Sequence, residues 1–104
     1  MSHDTLAETL EAAAAELEGV ESRASPTGTE WTIGGIIFAT AGSDGAEFRL
    51  APPVAAAAMR TPDTAASARG PDWVAFRPSV LDQHAIDRAT AWLASAWRRA
   101  DSET

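Results

Sequence analysis

The chain has 104 residues, of which 45% are apolar and 22% charged, so it is long enough for one hydrophobic core and has an ordinary globular composition. This composition excludes wholesale disorder, and the absence of cysteine excludes disulfides, thiolate nucleophiles and cysteine-based metal sites. The formal net charge is −7 at pH 7 and the pI is about 4.6, with nine acidic residues against Arg23 alone in residues 1–48.

The ends of the chain and its second half set two further expectations. No apolar run approaches the roughly 18 residues that cross a bilayer, and the start, MSHDTLAETL, lacks the basic and then apolar order of a signal peptide. We therefore expect one cytoplasmic domain over residues 1–104, with residues 1–4 and 101–104 frayed. Residues 49–104 hold seven arginines against six acidic residues, so an anion site is expected in that half.

The first predicted element is an amphipathic helix that begins at a capping box formed by Thr5 and Glu8. Its apolar side recurs every three or four residues, and Gly19 supplies a left-handed stop. The apolar residues are Leu6, Leu10, Ala13, Ala14 and Leu17. The opposite side carries Glu8, Glu11 and Glu18, an acidic surface that can meet a basic protein.

Three strands are predicted next, over residues 31–33, 36–39 and 46–50. Gly34-Gly35 can make the first turn, and a three-residue loop over 42–44 with Gly45 as a bulge residue can make the second. This register places Phe38 opposite Phe48 and Ile36 opposite Leu50. The predicted buried face is Trp31, Ile33, Ile36, Phe38, Ala46, Phe48 and Leu50. The predicted outer face is Glu30, Thr32, Ile37, Ala39, Glu47 and Arg49.

The second half predicts a short helix, a hairpin and a long helix. Pro52-Pro53 suits a first helical turn, so a helix is expected to start there, to continue from Val54 to Arg60 and to end at Thr61-Pro62. The hairpin pairs residues 64–69 with 73–77. A cap at residues 79–82 then opens a helix of about 20 residues, whose apolar stripe is Ile86, Ala89, Trp92, Leu93, Ala96, Trp97 and Ala100. We assign Trp92 and Trp97 to the core.

The order α-β-β-β-α-β-β-α predicts an α+β fold, an antiparallel sheet with helices on one face, because the helices need the apolar side of the sheet for burial. No catalytic constellation accompanies it. His84 and Asp87 stand three residues apart, but two ligands do not complete a metal site, and we interpret them as a solvated helix face. No nucleophile elbow or phosphate-binding glycine loop occurs. We therefore expect no enzyme activity and no cofactor.

The most suggestive cluster is Trp73 with Arg69, Arg77 and Arg49 on the open face of the sheet. An aromatic ring beside guanidinium groups can stack on a base or grip an anion. The alternative is that Trp73 anchors the sheet edge and that the arginines serve solubility.

Several short motifs, spread over nearly the whole chain, carry a family resemblance. They are Gly19-Val20-Glu21, Gly34-Gly35-Ile36-Ile37-Phe38-Ala39, Phe48-Arg49-Leu50, Asp72-Trp73-Val74-Ala75-Phe76 and Ala91-Trp92-Leu93-Ala94-Ser95-Ala96-Trp97. The chain thus resembles the MmcQ/YjbR family of small bacterial proteins. The resemblance implies a double-split β-α-β fold of a kind commonly labelled DNA-binding-like, without an established activity.

Two departures from that family remove positive charge. Ile36 stands where the family usually has lysine, and Gly70, Pro71 and Asp72 replace basic or polar residues before the tryptophan. Because duplex affinity comes largely from neutralised phosphates, nonspecific DNA binding by this acidic chain is not expected. The leading interpretation is a non-enzymatic binding domain that takes an anionic ligand on its open sheet face. The alternatives are an acidic protein-binding module and a DNA-binding protein.

Overall fold

Three helices and six strands follow one another along residues 5–104, the part of the chain that the computed structural model describes. They are α1 (Leu6–Ala14), β1 (Glu21–Ser25), β2 (Gly28–Ile33), β3 (Ile36–Gly42), β4 (Gly45–Arg49), α2 (Pro52–Ala58), β5 (Thr64–Ala66), β6 (Trp73–Phe76) and α3 (Gln83–Ser102). The strands form one antiparallel sheet in the order β1-β2-β3-β4-β6-β5. The predicted α+β class with an antiparallel sheet is confirmed.

One strand was not predicted. The sequence of β1, Glu-Ser-Arg-Ala-Ser, has no apolar alternation, and four of its five residues are exposed. It is a strand because it pairs with β2 along its whole length, from Glu21 opposite Thr32 to Ser25 opposite Gly28. The observed order is therefore α-β-β-β-β-α-β-β-α.

The register of β3 corrects three predictions. Ala39, not Phe38, lies opposite Phe48, and a two-residue turn joins β3 to β4 in place of a three-residue loop. The pairing of β2 with β3 shifts beside Trp31, so that Phe38 is the extra residue of a β-bulge. The bulge reverses the alternation, and both Phe38 and Ala39 are fully buried. The predicted outward placement of Ala39 and the pairing of Phe38 with Phe48 are therefore wrong.

The core lies between one face of the sheet and the helices α1 and α3. It contains the predicted buried strand residues, with Ile36 partly buried, and most of the predicted stripe of α3. Trp92 packs edge-on against Phe76, with ring centroids 5.1 Å apart at 84°, which confirms its place in the core. Trp97 is only partly buried, and its indole N–H donates to the carbonyl of Glu18 at 3.0 Å.

The ends of the helices agree with the sequence in part. The capping box is present, with the N–H of Thr5 donating to Glu8 and the N–H of Glu8 donating to Thr5, both at 3.1 Å. However, α1 ends at Ala14, before Leu17 and Gly19. Asp82 caps α3 by accepting from the N–H of Ala85, and α3 runs into the segment predicted to fray. The expectation for residues 1–4 lies outside the described residues.

No helix within residues 5–104 combines the length and the apolar character needed to cross a membrane.

Candidate functional site

The face of the sheet away from the core is polar. The register places Arg23, Glu30, Thr40, Glu47 and Ala75 side by side on this open face, one on each of five neighbouring strands. None of them belongs to the core cluster. Thr40 and Ala75 are nevertheless buried, so a ligand that approached this face would meet Arg23, Glu30 and Glu47.

The charges of this row are already paired, either with one another or with Arg69 from the loop before β6. Arg23 donates to Glu30 at 2.8 Å, and Arg69 lies 3.1 Å from Glu47 and 3.8 Å from Glu30. The hydroxyl of Thr40 donates to Glu47 at 3.2 Å. The two arginines and two glutamates therefore sum to no net charge.

Glu47 accepts hydrogen bonds from three directions. Besides Thr40 and Arg69, the hydroxyl of Ser67 donates to its carboxylate. Partial burial on its own would raise the pKa of Glu47, but the hydrogen bonds from Ser67 and Arg69, the charge of Arg69 and the bond from Thr40 outweigh it, so the pKa is lowered. The carboxylate is thus held ionised by its surroundings.

Two of the predicted arginines are occupied within the chain. Arg49 donates to Glu103 at 2.6 Å, and this bond lowers the pKa of that carboxyl. Arg69, besides its contacts with the glutamates, lies over the ring of Trp73 with 5.2 Å between the guanidinium carbon and the ring centroid. Trp73 lies opposite Arg49 in the ladder. Its ring therefore already stacks with a cation of its own chain.

Arg77 stands apart from the other predicted site residues. It follows the last residue of β6, four residues beyond Trp73, which corresponds to about 13 Å of extended chain. It is exposed, and it forms no ion pair within residues 5–104. The structure therefore groups Arg49, Arg69 and Trp73 at one end of the face and places Arg77, with its charge uncommitted, at the other.

A depression of about 480 Å³ adjoins Arg77, and we call it the open-face depression. Its lining consists of Pro26, Thr27, Thr40, Ala41, Gly42, Ser43, Asp44, Gly45, Ala46, Glu47 and Arg77. Gly42 and Gly45, which are paired in the ladder, both line it, and we call this glycine pair its floor. Neither glycine can be replaced by a residue with a side chain unless the backbone shifts. At Gly42 a Cβ would lie 2.3 Å from the carbonyl oxygen of Thr27, and at Gly45, where φ is +139°, it would lie 2.4 Å from the carbonyl oxygen of Phe76. The floor is therefore bare backbone.

A second depression, of about 520 Å³, lies at the same end of the sheet on the helix side. Leu6, Ala7, Pro78 and Leu81 line much of it, and Asp44 is its one charged residue among those described. The slightly larger volume does not make it the better anion site, because no cation among residues 5–104 lines it. The chemistry favours the open-face depression.

The acidic surface predicted on α1 is only partly available. Glu8 closes the capping box, and Glu11 accepts from the indole N–H of Trp31 at 2.6 Å and from the hydroxyl of Ser22 at 3.0 Å. Glu18 lies beyond the end of α1. The structure thus uses two of the three glutamates internally and does not place all three on one helix.

His84 and Asp87 do not come together as a metal site. His84 is exposed, and Asp87 accepts a hydrogen bond from Gln83 at 2.8 Å. Nowhere in residues 5–104 do three or more potential ligands among His, Cys, Asp and Glu cluster.

Comparison with protein-family models, with curated proteins and with solved structures finds no match. The MmcQ/YjbR resemblance therefore stays a prediction. The residues that sequence reasoning missed are the acceptors Glu30 and Glu47 and the glycine floor, which depend on a strand register that the sequence did not specify.

Proposed function

We propose that this chain is a small non-enzymatic binding domain that takes a ligand with an anionic group in the open-face depression, with Arg77 as the cation. The observation that carries the proposal is that Arg77 borders a backbone-floored depression and has no ion pair within the described residues. A guanidinium binds carboxylate or phosphate in a planar, bidentate geometry. A place in the MmcQ/YjbR family and a cytoplasmic location belong to the same proposal.

The lining favours a small ligand over a polyanion. Asp44 and Glu47 border the depression together with Arg77, and Arg69 already neutralises Glu47. A nucleic acid needs several uncommitted cations on one face, and Arg23, Arg49 and Arg69 are all held by carboxylates. One exposed arginine suits a single carboxylate or phosphate group.

The direct test is an NMR titration of the whole chain with inorganic phosphate, acetate, succinate and citrate, each added separately. We expect at least one probe to shift the amide signals of residues 42–46 and Arg77. Arg77→Ala should weaken that binding by about tenfold to a hundredfold, the range expected when a charged hydrogen bond is lost. Arg98→Ala is the matched control, because Arg98 is also exposed and forms no ion pair within the described residues.

The proposal is wrong if no probe shifts these signals, or if Arg77→Ala and Arg98→Ala bind equally well. A titration with duplex DNA at low and at physiological salt tests the DNA-binding function that the family resemblance implies. Tight association that falls steeply with salt would support the DNA-binding alternative and contradict our proposal.

A further inference from the structure

The outer side of β1 is an open edge of the sheet. β1 stands first in the strand order, and within residues 5–104 only β2 pairs with it. An edge strand presents a row of backbone N–H and C=O groups that can pair with another strand. The opposite edge, β5, has only three residues, whereas β1 offers five.

The hairpin geometry determines which groups of β1 point outward. Ser25 and Gly28 flank the two-residue turn Pro26-Thr27 and are paired, as the closing residues of such a hairpin are. Hydrogen-bonded pairs alternate along an antiparallel ladder, so Arg23 and Glu21 also bond inward to β2. The N–H and C=O groups of Ser22 and Ala24 are then the ones directed to the open side.

The side chains of β1 are complementary to themselves. Glu21 and Arg23 lie on the open face, and Glu21 forms no ion pair within the described residues. Charges on an edge strand usually prevent association, but here they have opposite sign and stand two residues apart. Two copies of β1 can therefore pair antiparallel with each charged side chain opposite one of the other sign.

Only one symmetric register of two β1 strands sets opposite charges across from each other. Pairing about Arg23 places two arginines directly opposite each other, and pairing about Ala24 leaves Glu21 opposite the turn and Ser22 opposite Pro26, which has no N–H to donate. Pairing about Ser22 places Glu21 opposite the partner's Arg23 and Arg23 opposite the partner's Glu21. It also uses the outward backbone groups of Ser22 and Ala24.

We propose that the outer edge of β1 is a self-association surface that pairs with β1 of a second copy, antiparallel and centred on Ser22. The sheet then runs through both copies. The alternating charges of the open face, Glu47, Arg69, Glu30 and Arg23, continue into the partner's Glu21. A single strand pair buries less than the roughly 1,200 Å² of a stable complex, so the dimer is of the weak, reversible kind.

Sedimentation velocity of the full chain over a wide concentration range tests the surface. We expect a monomer–dimer equilibrium that Glu21→Arg weakens by about tenfold, since it sets arginine against arginine twice. Glu16→Arg is the control, because it changes the net charge equally at an exposed position outside β1. A monomer at every concentration, or equal dimerisation of both variants, overturns the proposal.

Mixing variants tests the pairing of charges. Glu21→Arg has arginine at both positions and Arg23→Glu has glutamate at both, so each is repulsive with itself and complementary to the other. We expect each variant alone to dimerise about tenfold more weakly than the native chain, and the mixture to form heterodimers about as readily as the native chain dimerises. A mixture that stays monomeric while each variant remains folded by circular dichroism contradicts the inference.

Cross-linking tests the register, and the absence of native cysteine makes it clean. In the proposed register the two Ser22 residues face each other at about 5.5 Å between Cα atoms, within the range that a disulfide spans. Ser22→Cys should oxidise to a covalent dimer much faster than Ala24→Cys, whose partner position is Val20. Faster cross-linking of Ala24→Cys overturns the Ser22-centred register.

Discussion

Glu47 shows how single residues shape the open face. Its carboxylate accepts from Thr40 on β3, from Ser67 just after β5 and from Arg69 in the loop before β6. These bonds hold the side chain ionised and hold Arg69 over Trp73. Because Glu47 holds Arg69 in this way, the cluster of arginines does not form a free positive surface.

Glu47→Gln should make stability less dependent on pH. The pKa of Glu47 is lowered below 4.5 in the folded chain, so the unfolded chain takes up the proton first as pH falls. The stabilisation is complete above the unfolded pKa and is lost as pH falls through the lower folded pKa. We expect Glu47→Gln to cost about 1 kcal/mol at neutral pH, since the group is partly exposed and its ion pair is screened.

Urea unfolding at neutral pH and at about pH 3 measures this difference. Glu16→Gln is the control at an exposed site. The gap between Glu47→Gln and the native chain should shrink at the lower pH, and a gap of the same size at both pH values would show that ionisation is not its source.

At the scale of elements, the bulge in β3 decides which side chains are inside. Ala39 is paired with the buried Phe48 and therefore lies on the buried face. Phe38 is the extra residue of the bulge and lies on the same face. A sequence pattern with period two cannot show where such a residue is inserted. This is why the sequence predicts Phe38 correctly as a core residue but places Ala39 on the open face and pairs Phe38 with Phe48.

Ala39→Val tests this arrangement. Ala39 lies between Trp31 and Phe48 in the ladder and is fully buried, so two added methyl groups should overpack the core and cost about 1–3 kcal/mol. Ala65→Val is the control, because Ala65 is exposed on β5 and valine suits a strand. Thermal and urea unfolding compare the two. Equal stability of both variants would contradict the placement of Ala39 on the buried face.

The sequence predicted those elements of the fold that depend on local signals. Caps, proline positions and apolar periodicity identified α1, α2, α3 and the final hairpin. The strand β1 escaped because it is polar and owes its existence to β2. The sequence predicted which face of the sheet carries the site but not where on that face it lies. The partners of Arg49 and Arg69 are distant in sequence and come close only through tertiary packing.

Arg99 joins three parts of the molecule that only tertiary structure brings together. From α3 it donates to the carbonyl of Leu50, just after β4, at 2.6 Å and to Asp72, just before β6, at 3.0 Å. Glu103 lies 3.7 Å from the same guanidinium and also binds Arg49. This group of contacts holds the C-terminal end of α3 against the sheet.

Arg99→Met should therefore destabilise the whole fold and not only the end of α3. Methionine keeps most of the aliphatic packing but leaves the carbonyl of buried Leu50 without its charged donor, which should cost about 1.5–3 kcal/mol. Arg98→Met, at the exposed neighbouring position, should change stability by less than about 0.5 kcal/mol. Urea unfolding followed by tryptophan fluorescence reports the global transition, and hydrogen exchange reports α3 alone. If Arg99→Met speeds exchange only in the last turn of α3 and leaves the global transition unchanged, then the contact secures the helix end and does not close the fold.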